Sequence, residues 1–428
     1  MTATVQPTFR EALGIWARIG LLSFGGPAAQ IALMHKVLVD EKKWLAEPQF
    51  LSALSFCMLL PGPEAMQLAT YAGWKLHGLR GGLAAGLLFV IPGALVVLAL
   101  AMIYAAFGNV PIVAALFLGI KSAVLVIVIE ALLRISRRAL KLNEHWVLAA
   151  LAFIAIFVFA LPFPLIILAA ALFGYLRAGT VKGVPFTGAA VPMAQTIGTM
   201  LAWGVIWAAP LLALAAIFGP SHPLAQLGWF FSKLAVVTFG GAYSVLAYMG
   251  QDVVTQYHWL TAGEMMDGLG LAETTPGPLI LVTEFVGYLA AFRTGGGASL
   301  GMGLLGAFVA LWATFVPCFL WIFAGAPYLD WINAQPRLKS ALTAITAAVV
   351  GVILNLAIWF ALHVVFGEVA TVSLGPVHLL APTIASLDWR VVALSLVSGY
   401  LLLWRHWDIP RVLLVAATGA LAMAAAGH

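Results

Sequence analysis

Leu59-Leu60-Pro61-Gly62-Pro63-Glu64 interrupts an apolar run that otherwise reads as one continuous helix. Neither proline has an N–H for the helical ladder, and glycine loses more backbone freedom in a helix than any other residue, so the helix must break here. The break returns 215 positions later as Thr274-Thr275-Pro276-Gly277-Pro278. At the same offset, without a gap, Phe24-Gly25-Gly26 pairs with Phe239-Gly240-Gly241, Met34 with Met249, Trp44-Leu45 with Trp259-Leu260, and Arg18 with Lys233. Beyond the breaks the register lengthens by ten, so that Pro92 meets Pro317 and Pro111 meets Pro336, which places an insertion at Arg293 to Ser299. Glycine, tryptophan and proline held in one register for so long imply two homologous halves.

Those halves sit in lipid. The 428 residues are 63% hydrophobic and 9% charged, against about 25% charged in a soluble domain. Many windows reach the roughly 20 apolar residues that a membrane helix needs. The expected fold is an all-α polytopic membrane protein made of two inverted-topology repeats with re-entrant or broken helices. The first repeat covers residues 1–176 and the second 196–428, with a Gly-, Pro- and Thr-rich linker over 177–195 between them. Met1 to Glu11 is polar and carries no removable signal peptide. The net charge of +5 reads as basic loops on the cytoplasmic side rather than as a nucleic-acid surface.

Inversion follows from where the basic residues fall. The loop from His35 to Glu47 holds Lys36, Lys42 and Lys43, while its equivalent, Gly250 to His258, has none. The basic loop Arg134 to Lys141 likewise corresponds to Gly367 to Leu387, again without Lys or Arg. Positive charge stays cytoplasmic, so equivalent loops face opposite sides, as in many secondary transporters. For Lys36–Lys43, Lys75–Arg80 and Arg134–Lys141 to share one side, Phe50 to Trp74 must enter and leave by the same face, as a re-entrant hairpin. Gly62 and Gly277 are then expected to face one another near the midplane, from hairpins entering by opposite faces.

The breaks have a chemistry. Pro27 after Gly25-Gly26, and Pro63 after Pro61-Gly62, are set for the first position of a new helix; Pro278 follows Gly277, whereas Ala242 stands where Pro27 would. A helix start presents unpaired N–H groups and the positive end of a dipole, which together bind anions. Ser23 and Thr238, just before the glycines, and Thr275 before Pro276 add hydroxyls. The set suits an oxyanion; the alternative is that these glycines and prolines serve only packing. Lys121, within Leu118 to Ser122, lies near the middle of its helix, where a lysine costs about 2.5–3.5 kcal/mol unless it faces a cavity or partner. It draws the anion or pairs with Glu130 or Glu64. Arg18 and Lys233 are matched cations close to the glycine breaks, with snorkelling to the interface as the alternative. Glu64 and Glu284 are the candidate proton carriers; for Glu64 the alternative is a helix cap or a pair with Lys75 or Arg80. Leu279 stands where Glu64 would be, which places any proton coupling through that position in the first half. Two cysteines, Cys57 and Cys318, and nine histidines offer no metal-ligand spacing, and no phosphate loop or nucleophile elbow is present. No cofactor is expected, nor an enzyme activity.

These residues carry a resemblance. The chain resembles a bidomain member of the chromate ion transporter family through Phe24-Gly25-Gly26-Pro27, Leu59 to Ala65 running on to Tyr71-Ala72-Gly73-Trp74, Gly119-Ile120-Lys121-Ser122, Thr238 to Tyr243, and Thr275 to Pro278. The resemblance implies export of chromate through the bacterial inner membrane by two oppositely oriented halves. Sulfate or another oxyanion, carried instead of chromate, and an anion channel are the alternatives. Expected partners are the anion and membrane lipid, with no nucleic acid; a homodimer is admissible.

Overall fold

In a computed structural model of the chain, residues 7–108, 110–179, 192–239, 242–294, 298–375 and 377–427 are described. Helices α1 (Phe9–Leu22) and α2 (Gly26–His35) flank the first glycine pair, and α3 (Glu47–Cys57) and α4 (Glu64–Phe107) flank the first Pro-Gly-Pro. Next come α5 (Pro111–Ala139) and two short helices, α6 (Asn143–Phe157) and α7 (Phe163–Arg177). The second half opens with α8 (Met193–Phe218) and repeats the plan. Helices α9 (Pro223–Val237) and α10 (Ala242–Thr255) flank the second glycine pair, and α11 (Ala262–Thr274) and α12 (Val282–Phe292) flank the second Pro-Gly-Pro. Helices α13 (Leu300–Gly325), α14 (Leu329–Asn333) and α15 (Pro336–Val365) lead to strands β1 (Val369–Leu374) and β2 (Val377–Pro382), then to α16 (Trp389–Gly399) and α17 (Ile409–Ala425). Among the described residues, five helices are long and apolar enough to cross a membrane. The chain is thus an all-α multi-pass membrane protein with broken helices.

The chain divides into two compact units, each drawn from both halves of the sequence. The first unit comprises residues 1–101, 178–242 and 275–339. In lipid the solvent is as apolar as the side chains, so helices associate by close packing, and small residues mark where they touch. Within α4 the path turns back at His77 and Gly78, which leave helical geometry. The two arms then lie against each other so tightly that a Cβ on Gly73 would fall 2.3 Å from the Gly81 carbonyl oxygen. Helices α12 and α13 repeat the contact, a Cβ on Gly306 falling 2.2 Å from the Gly287 oxygen; Gly81 and Gly306 are partners in the longer register. Arms of 11 residues in α3 and 13 in α4 before the turn are about 16 and 20 Å long, each short of a bilayer's roughly 30 Å. Helix α8 has no buried residue, as befits an apolar helix against lipid.

The second unit comprises residues 102–177, 243–274 and 340–428. Here α5 packs on α17 where Gly119 meets the Ala416 carbonyl, and on α11 where Gly270 meets the Ile120 side chain. Pro162, with Pro164 in the first turn of α7, separates α6 and α7 into two short arms.

Three local expectations need correction. The segment after His35 is not a plain loop: α2 runs on as a π-turn over Lys36–Glu41, and His35 bridges Glu47 at 2.6 Å. The Arg134 to Lys141 stretch is mostly helical, since α5 continues to Ala139. Gly367 to Leu387 folds as an antiparallel hairpin, Val369 opposite Pro382 and Leu374 opposite Val377; Val369, Thr371 and Val372 favour the first strand, and Gly375 with φ +62° admits the turn. Its His378 N–H donates to the Val158 oxygen at 2.8 Å, tying it to the α6–α7 connection. Most of the expected linker, residues 180–191, lies outside the described residues.

Candidate functional site

The two Pro-Gly-Pro turns are bound in the first unit by one contact made twice. The Gly62 N–H donates to the Thr238 oxygen at 3.0 Å, and the Gly277 N–H donates to the Ser23 oxygen at 2.8 Å. Ser23 and Thr238 are separated by the same 215 positions as Gly62 and Gly277, so the contact maps onto itself when the halves are exchanged. Each turn therefore faces the glycine break of the opposite half. A buried amide in a broken helix has no helical acceptor, and an unpaired one is costly in lipid, so each break satisfies the other's backbone. Both glycines are buried and hold φ of +115° and +91°, a region that a side chain disfavours.

A second layer repeats the symmetry. A Cβ on Gly62 would lie 3.0 Å from the Cys318 sulfur, and one on Gly277 would lie 3.5 Å from the Gly93 Cα; Gly93 and Cys318 are partners in the longer register. Two buried amides break the symmetry. Gln30 Nε2 donates to the Gly277 oxygen at 2.6 Å and to the Ser23 oxygen at 3.3 Å. Gln67 Nε2 donates to the Pro61 oxygen at 2.7 Å. Their counterparts in the second half are Val245 and Val282. Reading the sequence missed both glutamines; the signal was a lone amide on each of two apolar helices, one turn after a break.

Each helix start lies within one residue of the proline that marks it: Pro27 is the second residue of α2, while Pro63 and Pro278 immediately precede theirs. Gly25 caps α2 with φ +82°, Pro27 lies in its first turn, and no side chain caps it. In α4 the first helical bond runs from Gln67 N–H to the Pro63 oxygen at 3.1 Å, so the amides of Glu64, Ala65 and Met66 precede the ladder. After the second turn, a short 3-10 segment, Leu279–Leu281, opens with Leu281 N–H on the Pro278 oxygen at 2.9 Å. Chemically, these starts can hold a negative charge with backbone dipoles alone; those that follow Gly62 and Gly277 are enclosed, whereas that of α2 is open at Gly25. The Ser23 and Thr238 hydroxyls donate back to their own helices, to the Ile19 oxygen at 2.6 Å and the Leu234 oxygen at 2.5 Å. Thr275, Pro276 and Pro278 are buried beside Gly277. Gly240 and Gly241 lie outside the described residues.

The charged candidates are dispersed. Glu64 is half-buried at the start of α4 and has no ion-pair partner among the described residues. Glu284, on α12, is 2% exposed, and its Oε2 has no hydrogen-bond partner among the described residues. Arg18 is exposed, and the Lys233 ammonium sits 5.8 Å from the Phe230 ring centroid. Lys121 belongs to the second unit, so the first unit's turns do not include it. Two further acids are buried, and the sequence reading missed the first of them: Asp267, which accepts from the Tyr104 hydroxyl at 2.9 Å, and Glu273, which accepts from Tyr243 at 2.8 Å.

Comparison with known proteins agrees with this architecture. The family model described as "Chromate transporter" matches residues 11–175 and again 225–423, one match per half. A chromate transport protein of Pseudomonas aeruginosa is 31% identical over 82% of this chain and 81% of its own length. One of Cupriavidus metallidurans is 30% identical over 81% of each chain. An uncharacterized transporter of Methanocaldococcus jannaschii is 28% identical over 93% of this chain and 90% of its own. No solved structure matches the chain. With both halves matched in turn and the paired breaks in place, the chain belongs to the chromate transporter family.

Proposed function

We propose that the chain is a secondary transporter that exports chromate across the bacterial inner membrane. The observation that carries the reading is the doubled contact of Gly62 with Thr238 and Gly277 with Ser23. It holds helix starts from both halves in one unit, where an oxyanion can be bound by amides without a fixed countercharge. The relatives' names supply the substrate, chromate. Donors of this kind recognise a tetrahedral dianion by shape and charge, so sulfate and other oxyanions are expected to compete.

In this reading the repeats are residues 1–176 and 196–428, inverted with respect to each other, with the Pro-Gly-Pro segments as re-entrant hairpins. They rock around the crossed turns to open the site to each side in turn. Ser23, Gly25, Gly26, Pro61 to Pro63, Thr238, Gly240, Gly241 and Thr275 to Pro278 shape the site, and Lys121, Arg18 and Lys233 attract the anion toward the protein. Glu64 and Glu284 are the proton-coupling candidates. Export is the favoured direction: a charge moving through the potential gains about 2.3 kcal/mol per 100 mV, so a dianion leaving a negative interior gains on the order of twice that. The drive is the membrane potential or exchange with another ion.

Proteoliposomes with potential and pH gradient imposed separately test this. Saturable chromate flux that follows the potential is expected. Flux that rises linearly without saturation would make the protein a channel, and no chromate flux under any gradient would sink the reading.

A further inference from the structure

Lys121 faces two ways within the second unit. On one side it lines a cavity of about 360 Å³ together with Pro111 and Leu118 of α5, Arg390 of α16, and Ala420 and Met423 of α17. At about 30 Å³ per water, this is room for an oxyanion with part of its hydration shell. On the other side the lysine runs along the first turn of α11, its Nζ 3.7 Å from where a Cβ on Gly263 would be. Asp267 follows Gly263 by four residues and so lies on the same face of α11 as the lysine, with no direct ion pair between them among the described residues.

Asp267 is built to change state. It is 5% exposed, Oδ2 accepts from the Tyr104 hydroxyl, and Oδ1 is buried with no partner among the described residues. Helices α5 and α17 pack on α11, and α4 and α10 reach it through Tyr104 and Tyr243. From α5 the group facing Asp267 is Lys121, α17 carries no ionisable residue apart from Arg411 in its first turn, and α11 itself adds Glu264. Glu264 is engaged as a cap, accepting from the Thr261 N–H at 2.8 Å. Arg390 is held by Asp388 through two bonds of 2.9 and 2.7 Å, so the cavity's second cation is already half-neutralised, and Lys121 is the one a new anion competes for.

We propose that Lys121 is a switched cation, shared between Asp267 and an oxyanion in the cavity beside it, and that anion binding there is balanced by proton uptake on Asp267. In the empty state the lysine and the aspartate neutralise one another. When a dianion takes over the ammonium, the aspartate loses its compensation in a low-dielectric setting, and one proton from water adds to Oδ1. The pair thereby links anion occupancy to protonation, which deepens the transport reading and rests on it.

The test uses the full chain, purified in detergent, titrated with chromate by calorimetry near neutral pH in two buffers of different ionisation heat. Wild type should take up protons as the anion binds, at most one per anion. Asp267→Asn should keep chromate binding and lose the proton uptake, and Lys121→Met should weaken binding about tenfold or more. Asp267→Glu guards against misfolding and should retain the uptake. Unchanged proton uptake in Asp267→Asn, or undiminished binding in Lys121→Met, overturns the switch. Flux assays on the same preparations separate the two readings: a wild type that carries no chromate defeats the transport reading, whereas one that carries chromate with an Asp267-independent proton count defeats only the switch.

Discussion

Gly62 and Thr238 lie 176 positions apart in sequence, yet the amide of one donates to the carbonyl of the other at 3.0 Å. Its twin, Gly277 on Ser23 at 2.8 Å, shows that the bond belongs to the repeat rather than to either half. Two broken helices leave two unpaired amides and two unpaired carbonyls in an apolar interior. Crossing them satisfies both at once, which is why the Pro-Gly-Pro and glycine-pair motifs occur together in each half.

A side chain at either glycine should break this arrangement. Gly62→Ala and Gly277→Ala place a Cβ on residues at φ +115° and +91°, each 3.0 Å from a neighbouring side-chain atom. The backbone strain alone is about 1–2 kcal/mol, with the contact added. We expect lower thermal stability and at least a tenfold loss of chromate flux in proteoliposomes, a rate ratio equal to about 1.4 kcal/mol. Gly14→Ala, with nothing within 4 Å of its Cβ, is the control and should leave both unchanged.

Gln30 is expected to matter more than its position on an apolar helix suggests. Gln30→Leu removes the 2.6 Å bond to the Gly277 oxygen and leaves a buried carbonyl unsatisfied, at about 1–3 kcal/mol. Gln30→Glu also removes the donor and sets a carboxylate against carbonyl oxygens, so it should be worse. Thermal denaturation of the two variants in detergent checks the order; a milder effect for Glu than for Leu would show that the amide does not hold the turn.

The breaks and their repeat were legible because glycine and proline constrain the backbone wherever they sit, and a 215-residue register is visible by inspection; that each Pro-Gly-Pro amide reaches Ser23 or Thr238, ahead of the other half's glycine pair, was not. Gln30 and Gln67 were not, since an amide says nothing about which carbonyl it will reach. Asp267 was missed for the same reason: its partner Tyr104 is 163 residues away, and nothing local joins them. Arg18 and Lys233 matched in register, yet one is exposed and the other lies near a ring, because a shared register sets the backbone and leaves long side chains to their surroundings. The hairpin at Val369 to Pro382 was not legible, since its second strand, Val377 to Pro382, has one β-branched residue, no strict alternation and a proline at its end.

Topology supplies a third prediction. With Cys57 and Cys318 replaced by alanine, single cysteines at Asp40 and Gly78, both exposed, should react with an impermeant maleimide from the same side. One at Val372, exposed on the hairpin, should react from the other. Labelling of positions 40 and 78 from opposite sides would remove the re-entrant hairpin, and labelling of 372 from the side of 40 would remove the inversion.

Asp388 gives a pH-dependent prediction outside the membrane segments. It caps α16, accepting from the Arg390 N–H at 3.0 Å, and its bonds from the Arg390 guanidinium hold its carboxyl below the ordinary value. A carboxylate whose folded value is depressed contributes stability above its unfolded value of about 3.9, and loses it as pH falls through the lower folded value. Asp388→Ala should therefore cost about 1 kcal/mol, the usual worth of a cap, throughout the neutral range. The gap between variant and wild type should close only in acid, as the wild-type carboxyl takes up its proton. Melting curves of both proteins from neutral pH down to the acid range test this. A gap that narrows already between pH values of about 7 and 5, well above any carboxylate value depressed below about 3.9, would mean that Arg390 does not hold Asp388 ionised.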